Sequence, residues 1–181
     1  MKRLTGWLLA ALIFFPAFLF AQTETSDQSG LKWYSIEEAI KLNEKAPKKI
    51  FIDVYTDWCG WCKVMDKNTF SQTKIAEMLN TYYYPVKFNA EQKDSILFKG
   101  KTYRYIGNAG SRGYNELAAT ILKGQLSYPT VVFMDEEMNV IQPIPGYRAP
   151  GEMEPILKFF GTGAYKTVPW EEYMKSFKSE L

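Results

Sequence analysis

Apolar and polar positions along the chain follow two periods, one helical and one extended, and the switches between them define its elements. Ser35-Ile36-Glu37-Glu38 has the form of a capping box, with Ile36, Ala39 and Ile40 following at helical spacing until Pro47. Residues 49–56 are rich in branched side chains and predict a strand buried on both faces. A helix is expected to follow through about Lys67, ended by Thr69-Phe70-Ser71. A second helix carries Ile75, Met78 and Leu79 on one face to about Asn80. Residues 82–88 read as another strand, and residues 97–108 alternate Tyr103, Tyr105 and Ile106 with polar residues, as a short hairpin or an ordered loop.

Residues 115–123 predict a helix with Leu117, Ala118, Ile121 and Leu122 inward and Gly124 as its stop. Residues 130–134 and 140–144 form an antiparallel hairpin across the polar link 135–139. A helix over 151–160 ends at Gly161, and Pro169 opens a last amphipathic helix bearing Trp170, Tyr173, Met174 and Phe177. Helices and strands alternate first, and a hairpin and helix close the unit. That order predicts an α/β sandwich with a mixed central sheet. The aromatic set Tyr82, Tyr83, Tyr84, Tyr103 and Tyr105 reads as core and sheet surface rather than as a ligand box.

The start of the chain reads differently. Lys2 and Arg3 precede an almost wholly apolar run over 4–20, and Ala21 offers a small residue before Gln22. Residues 1–21 therefore read as a secretory signal peptide, with 22–32 a flexible lead. The apolar run is also near the lower length of a membrane span, so an uncleaved anchor is the competing reading. No cysteine follows it to carry a lipid. Both readings place the body of the chain outside the cytoplasm, periplasmic or secreted, where disulfides persist.

Composition narrows the chemistry. The 181 residues suffice for one domain with a full core. Removing residues 1–21 leaves 20 basic and 20 acidic side chains, so no basic stripe argues for nucleic acid or an anionic membrane surface. The chain has no histidine, which excludes Ser-His-Asp and Cys-His nucleophiles and histidine metal sites.

The only two cysteines, Cys59 and Cys62, lie in Asp57-Trp58-Cys59-Gly60-Trp61-Cys62-Lys63, between the predicted strand and helix. Unpaired amides and the dipole at a helix start favour the thiolate of the first cysteine, and a residue three further on is its neighbour. A structural staple is the bland alternative, but so short a loop gains only about 2 kcal/mol, against about 3 for a fifteen-residue loop. Two sulfurs without imidazole fall short of a metal site unless a dimer shares it.

These residues resemble the thioredoxin superfamily over roughly 33–161, leaving 162–181 as a C-terminal helical extension. Trp58-Cys59-Gly60-Trp61-Cys62-Lys63 is similar to the thioredoxin active-site run, with tryptophan where thioredoxin has proline. Asp53, Lys87, Ser127-Tyr128-Pro129-Thr130 and Gly146 stand where the family has its buried carboxylate, neighbouring lysine, cis-proline loop and following glycine. Residues 56–71 resemble the C-terminal domain of the periplasmic disulfide-interchange reductase and related secreted proteins. The resemblance implies a thioredoxin-like three-layer sandwich, with a short insertion before the helix that leads to the cis-proline.

It also implies roles. Asp53, a lone acid among apolar neighbours, either faces water or is buried with a raised pKa, able to accept the Cys62 proton. Lys87 either neighbours it or is a solvated edge lysine. Pro129 either starts a strand in trans or takes the cis form of the family, with Tyr128 shaping partner docking. Of the indoles, Trp58 is expected to pack on the sheet and Trp61 to be exposed, with Gly60 between the sulfurs. The implied chemistry is thiol–disulfide exchange without a bound cofactor, between partner-protein disulfides and a protein dithiol donor. Gly60-Trp61 places no charge between the cysteines, which leans towards reductase or electron relay over oxidase or isomerase. A partner-binding module without turnover is the remaining class.

Overall fold

The computed structural model describes residues 30–107 and 112–181. The expected signal peptide, most of the expected lead and the end of the 97–108 insertion lie outside the described residues. The elements run α1 (Ile36–Lys45), β1 (Lys49–Tyr55), α2 (Gly60–Met65), a π-helical turn (Asp66–Phe70), α3 (Thr73–Tyr82) and β2 (Tyr83–Asn89). Short strands follow: β3 (Ile96–Phe98), β4 (Lys101–Tyr103), β5 (Tyr105–Ile106) and β6 (Tyr114–Asn115). Then come α4 (Glu116–Ile121), β7 (Thr130–Met134), β8 (Val140–Pro145), α5 (Pro150–Gly161), a 3₁₀ turn (Ala164–Lys166) and α6 (Trp170–Ser176).

The main sheet has the order β2-β1-β7-β8. β1 runs parallel to β2 and antiparallel to β7, and β7 is antiparallel to β8, so the sheet is mixed as expected. β1 is central, and its apolar run is explained by burial on both faces. Ile50, Ile52, Val54, Val86, Phe88, Val132 and Met134 form one core with α1 and α4. Phe51, Tyr83, Val131 and Phe133 form the other, under Met65, Phe70, Ile75, Leu79, Met153 and Leu157. Asp53 shares the parity of Phe51, so it points into this second layer, beneath α2.

α1 starts at the expected capping box: the Glu38 amide donates to Ser35 Oγ at 3.1 Å, and the Ser35 amide to Glu38 Oε2 at 2.8 Å. The 97–108 insertion opens as a real hairpin, β3–β4, whose turn places Lys99 and Gly100 at φ 50° and 75°. β5 and β6 then pair across the undescribed residues.

One element departs from expectation. The motif helix does not break after Lys67 but widens into the π-turn through Phe70. Packing is the reason: Phe70 meets Trp33 edge-on at 5.2 Å and Phe51 at 5.8 Å, and Thr69 Oγ1 donates to the Arg148 carbonyl at 2.6 Å. The extra residue in the turn lets Thr69 and Phe70 both be buried while Asp66 stays on the side of Lys87.

Candidate functional site

The end of β1 delivers the cysteines. The Thr56 carbonyl accepts the Cys59 amide at 3.1 Å, which closes the turn from strand to helix. Cys59 is the N-cap of α2, and Cys62 lies one turn in. The two are joined in a disulfide, with the Cys62 amide donating to Cys59 Sγ at 3.1 Å. Both are nearly covered, Cys59 at 4% and Cys62 at 2% exposure. Gly60 is exposed, and open space stands where its Cβ would be.

Beneath α2 lies a charged triad. Asp53 and Lys87 are register partners on β1 and β2, and Lys87 Nζ donates to Asp53 Oδ2 at 2.5 Å. Lys87 Nζ also bonds Asp66 Oδ1. Asp53 is fully buried and its Oδ1 has no hydrogen-bond partner. Burial raises the Asp53 carboxyl to about 6, against the lowering pull of Lys87, and Asp66 adds to the rise. Burial alone would lower the Lys87 ammonium, but Asp53 and Asp66 outweigh it and hold it above its ordinary value. The Lys87 ammonium also lies over the rings of Trp33, Tyr55 and Phe70, at 5.0, 5.2 and 5.5 Å. Asp53 is thus the buried acid the sequence suggests, and Lys87 is its partner rather than a solvated edge residue. Asp66 escapes the sequence reading although it stands four residues after Cys62, a helical spacing that places both on one face. The ring cage around Lys87 has no sequence signal of its own.

Above the cysteines, the Tyr128–Pro129 peptide is cis. Pro129 is buried, and its carbonyl accepts the Gly146 amide at 2.8 Å. Gly146 has φ 91°, a conformation that a side chain would strain. Trp61, Tyr128, Pro129, Gly146 and Tyr147 line an open, mostly apolar depression of about 210 Å³. Trp61 is 62% exposed and leans on Tyr147 at 5.5 Å. Trp58 corrects the expectation: it does not pack on the sheet but is 48% exposed. Three neighbours hold it instead. Its Nε1 donates to Glu91 Oε1 at 2.9 Å, Tyr128 meets it edge-on at 5.9 Å, and the Arg112 guanidinium lies 4.3 Å from its ring centre. Burial, then the Glu91 carboxylate, raise the Tyr128 phenol to about 12, so it stays neutral. Glu91, Arg112 and Tyr147 are distant in sequence from the motif, and no pattern in the chain points to them.

Among the described residues no group of three or more metal-ligating acids or cysteines comes together, and no helix is long and apolar enough to cross a membrane.

A family model described as "Thioredox_DsbH: Protein of unknown function, DUF255" matches residues 21–110. The chain is 28% identical over 155 residues to the thiol:disulfide interchange protein DsbD of Pectobacterium atrosepticum, covering 84% of this chain and 21% of that protein. It is 36% identical over 64 residues to DsbD of Vibrio vulnificus, covering 34% of this chain and 11% of the relative. The chain therefore spans only about a fifth of the first relative's length and a tenth of the second's. In fold it is similar to a thioredoxin from Thermus thermophilus, with TM-score 0.54 and 16% identity over 82% of this chain and 98% of that one. It is also similar to a thioredoxin-fold protein from Helicobacter pylori, with TM-score 0.51 and 20% identity over 71% of this chain and 79% of that one. These likenesses show a thioredoxin-like fold that carries a bonded Cys59-Gly60-Trp61-Cys62 pair at the start of α2, in a chain similar to part of DsbD and to the family of the matching model.

Proposed function

We propose that this protein works outside the cytoplasm and passes electrons from a protein dithiol to the disulfides of partner proteins. The observation that carries the reading is the bonded Cys59–Cys62 pair at the N-cap of α2, with a buried carboxylate of raised pKa in the layer below. The signal-like segment 1–21 and the likeness to DsbD support the compartment.

In the reduced protein, the Cys59 thiolate attacks one sulfur of the partner disulfide. That S–S bond breaks, a mixed disulfide forms and the partner's other sulfur leaves as a thiolate, which takes a proton from water. Asp53 then accepts the Cys62 proton, and the Cys62 thiolate attacks Cys59 Sγ. The Cys59–Cys62 bond closes and the second partner thiolate departs. The partner gains two electrons and this protein loses two, which a donor dithiol restores by the reverse exchange. Tyr128, Pro129, Trp61 and Trp58 form the contact surface around the sulfurs, with Gly60 exposed beside them.

The test is turnover of insulin disulfides with a regenerating thiol, together with trapping on the Cys62→Ser protein. Turnover in the wild type, and a mixed disulfide that accumulates only in the Cys62→Ser protein, support the reading. No turnover, with partner binding that survives loss of both cysteines, would make the chain a binding module instead.

A further inference from the structure

Trp58 and the residues around it form a structure that exchange chemistry alone does not require. The indole sits beside Cys59 and is fixed on three sides. Glu91 takes its N–H, Tyr128 meets it edge-on, and Arg112 covers it with a guanidinium 4.3 Å from the ring centre. Stacking on an indole face orients the planar guanidinium without consuming its N–H donors. Arg112 is exposed, and among the described residues it makes neither an ion pair nor a hydrogen bond through its side chain. The nearest acid on the same indole, Glu91, has Oε1 occupied by the indole N–H. By contrast, the guanidinium of Arg148, below Gly146, is spent on the carbonyls of Tyr147 and Pro145.

A cation stacked on the indole next to Cys59 in sequence, with its N–H donors unused among the described residues, has the chemistry to receive a carboxylate. We propose that Arg112 is a specificity-determining residue that selects partner disulfides flanked by an acidic side chain. The inference rests on the exchange reading above. Tyr128 couples the two parts of the surface: its ring touches Trp58, and it also lines the depression formed with Pro129, Gly146 and Tyr147. A partner strand laid along that depression would bring a residue near its cysteine to the Trp58–Arg112 side. The guanidinium fork suits a carboxylate there, and an ammonium would be repelled. The chain beyond residue 21 has balanced charge, so a local receptor rather than a long-range field must supply such a preference.

The test uses two disulfide-linked peptides that differ only by Glu or Gln next to the half-cystine, reduced by the wild-type, Arg112→Gln and Arg112→Lys proteins. The readout is the ratio of second-order rate constants, Glu peptide over Gln peptide. An exposed charge pair gives an expected ratio of about two to five for the wild type at low salt, declining towards one in 1 M salt. Arg112→Gln is expected to bring the ratio to about one, and Arg112→Lys to leave it between. A purely structural role in propping Trp58 would scale both rates and leave the ratio alone. A wild-type ratio of one with both peptides reduced overturns this inference while the exchange reading stands, and so does a ratio that survives Arg112→Gln. Reduction of neither peptide overturns the exchange reading, and the inference with it. Oxidised glutathione as a third substrate separates sources of the carboxylate: an Arg112-dependent rate there, with no preference between the peptides, would also overturn selection of acidic protein segments.

Discussion

Asp53 is held between two opposed influences, a fully buried site that disfavours its charge and an ammonium that favours it. Burial prevails, and the carboxyl stands at about 6. Such a group binds a proton more tightly folded than unfolded, so between about pH 4 and pH 6 the native state holds the extra proton. The stability this contributes is present at low pH and is lost as pH rises through 6. Wild type is therefore expected to lose about 1–2 kcal/mol relative to Asp53→Asn between pH 5 and pH 8, measured by denaturant unfolding of the oxidised forms. A relative gain over that range would mean that the carboxyl is not raised. In catalysis the same residue is expected to matter in the second half of the exchange. Asp53→Asn should slow closure of the Cys59–Cys62 bond while leaving attack by Cys59 largely intact, and equal effects on both steps would end the proposed role. Asp66 gives an independent check, because its negative charge adds to the rise at Asp53. Asp66→Asn is expected to move the pH inflection of resolution below that of wild type, and an upward move would sink the triad as the tuning unit. Asp53 was legible in the chain because it is the one acid in an apolar strand. Asp66 was harder to read, because an acid on a helix after a motif is usually a solvated residue, and only the Lys87 contact gives it a part.

The elements legible in the chain are those with a strong period or a cap. β1 announces itself through burial on both faces, α1 through Ser35 and Glu38, and β7–β8 through a polar link between two apolar runs. The π-turn could not be read in this way, since a ladder one residue wider has no residue signature and here follows from the seating of Phe70 and Thr69. The C-terminal tail was equally silent. Sequence suggests an amphipathic last helix, and α6 does rest Trp170 and Tyr173 on Phe159, at 5.2 and 5.0 Å. What fastens the end of the chain, however, is Glu154 of α5, fully buried inside a helix that reads as apolar. Its Oε2 accepts from Ser179 Oγ at 2.5 Å and its Oε1 from the Glu180 amide at 2.6 Å, while Lys158 bridges to Glu180 at 2.5 Å. Ending the chain at Phe177 would remove both donors and leave a buried carboxylate with only Lys158, 3.9 Å away. The expected loss is about 1–3 kcal/mol, and thermal or denaturant unfolding measures it. The same truncation in a Glu154→Leu background should cost clearly less, because no buried charge is then stranded. Equal costs in the two backgrounds would show that the tail contributes packing alone.

At the scale of the whole molecule, the mixed character of the sheet and its closing hairpin were legible, whereas the strand order and the architecture around the site were not. Glu91 and Arg112 meet Trp58 and Tyr147 meets Trp61 from three separate loops, and no local pattern records a contact made by folding. The property that this assembly sets is the redox poise of the Cys59–Cys62 pair. Reduction places charge on Cys59, so anything that stabilises the Cys59 thiolate raises the potential, and anything that repels it lowers the potential. Of the first kind the described residues offer the start of α2, which Cys59 caps, and the Arg112 guanidinium on the neighbouring Trp58. The chain has no histidine, Lys63 is exposed on α2, and Cys59 Sγ receives one amide, that of Cys62. The second kind is supplied by the triad beneath α2, which holds two carboxylates against a single ammonium. On the proposed function the triad's net negative charge outweighs these, favouring the disulfide over the dithiol as an electron donor requires. Equilibration with glutathione or dithiothreitol is therefore expected to give a potential near or below about −240 mV, on the side of thioredoxin. The Asp53→Asn, Asp66→Asn double variant should be more oxidising than wild type, since it leaves Lys87 unopposed. A wild-type value above about −180 mV would put the protein with the oxidants and isomerases. The exchange step would survive that result, but the flow of electrons towards partner disulfides would have to be reversed.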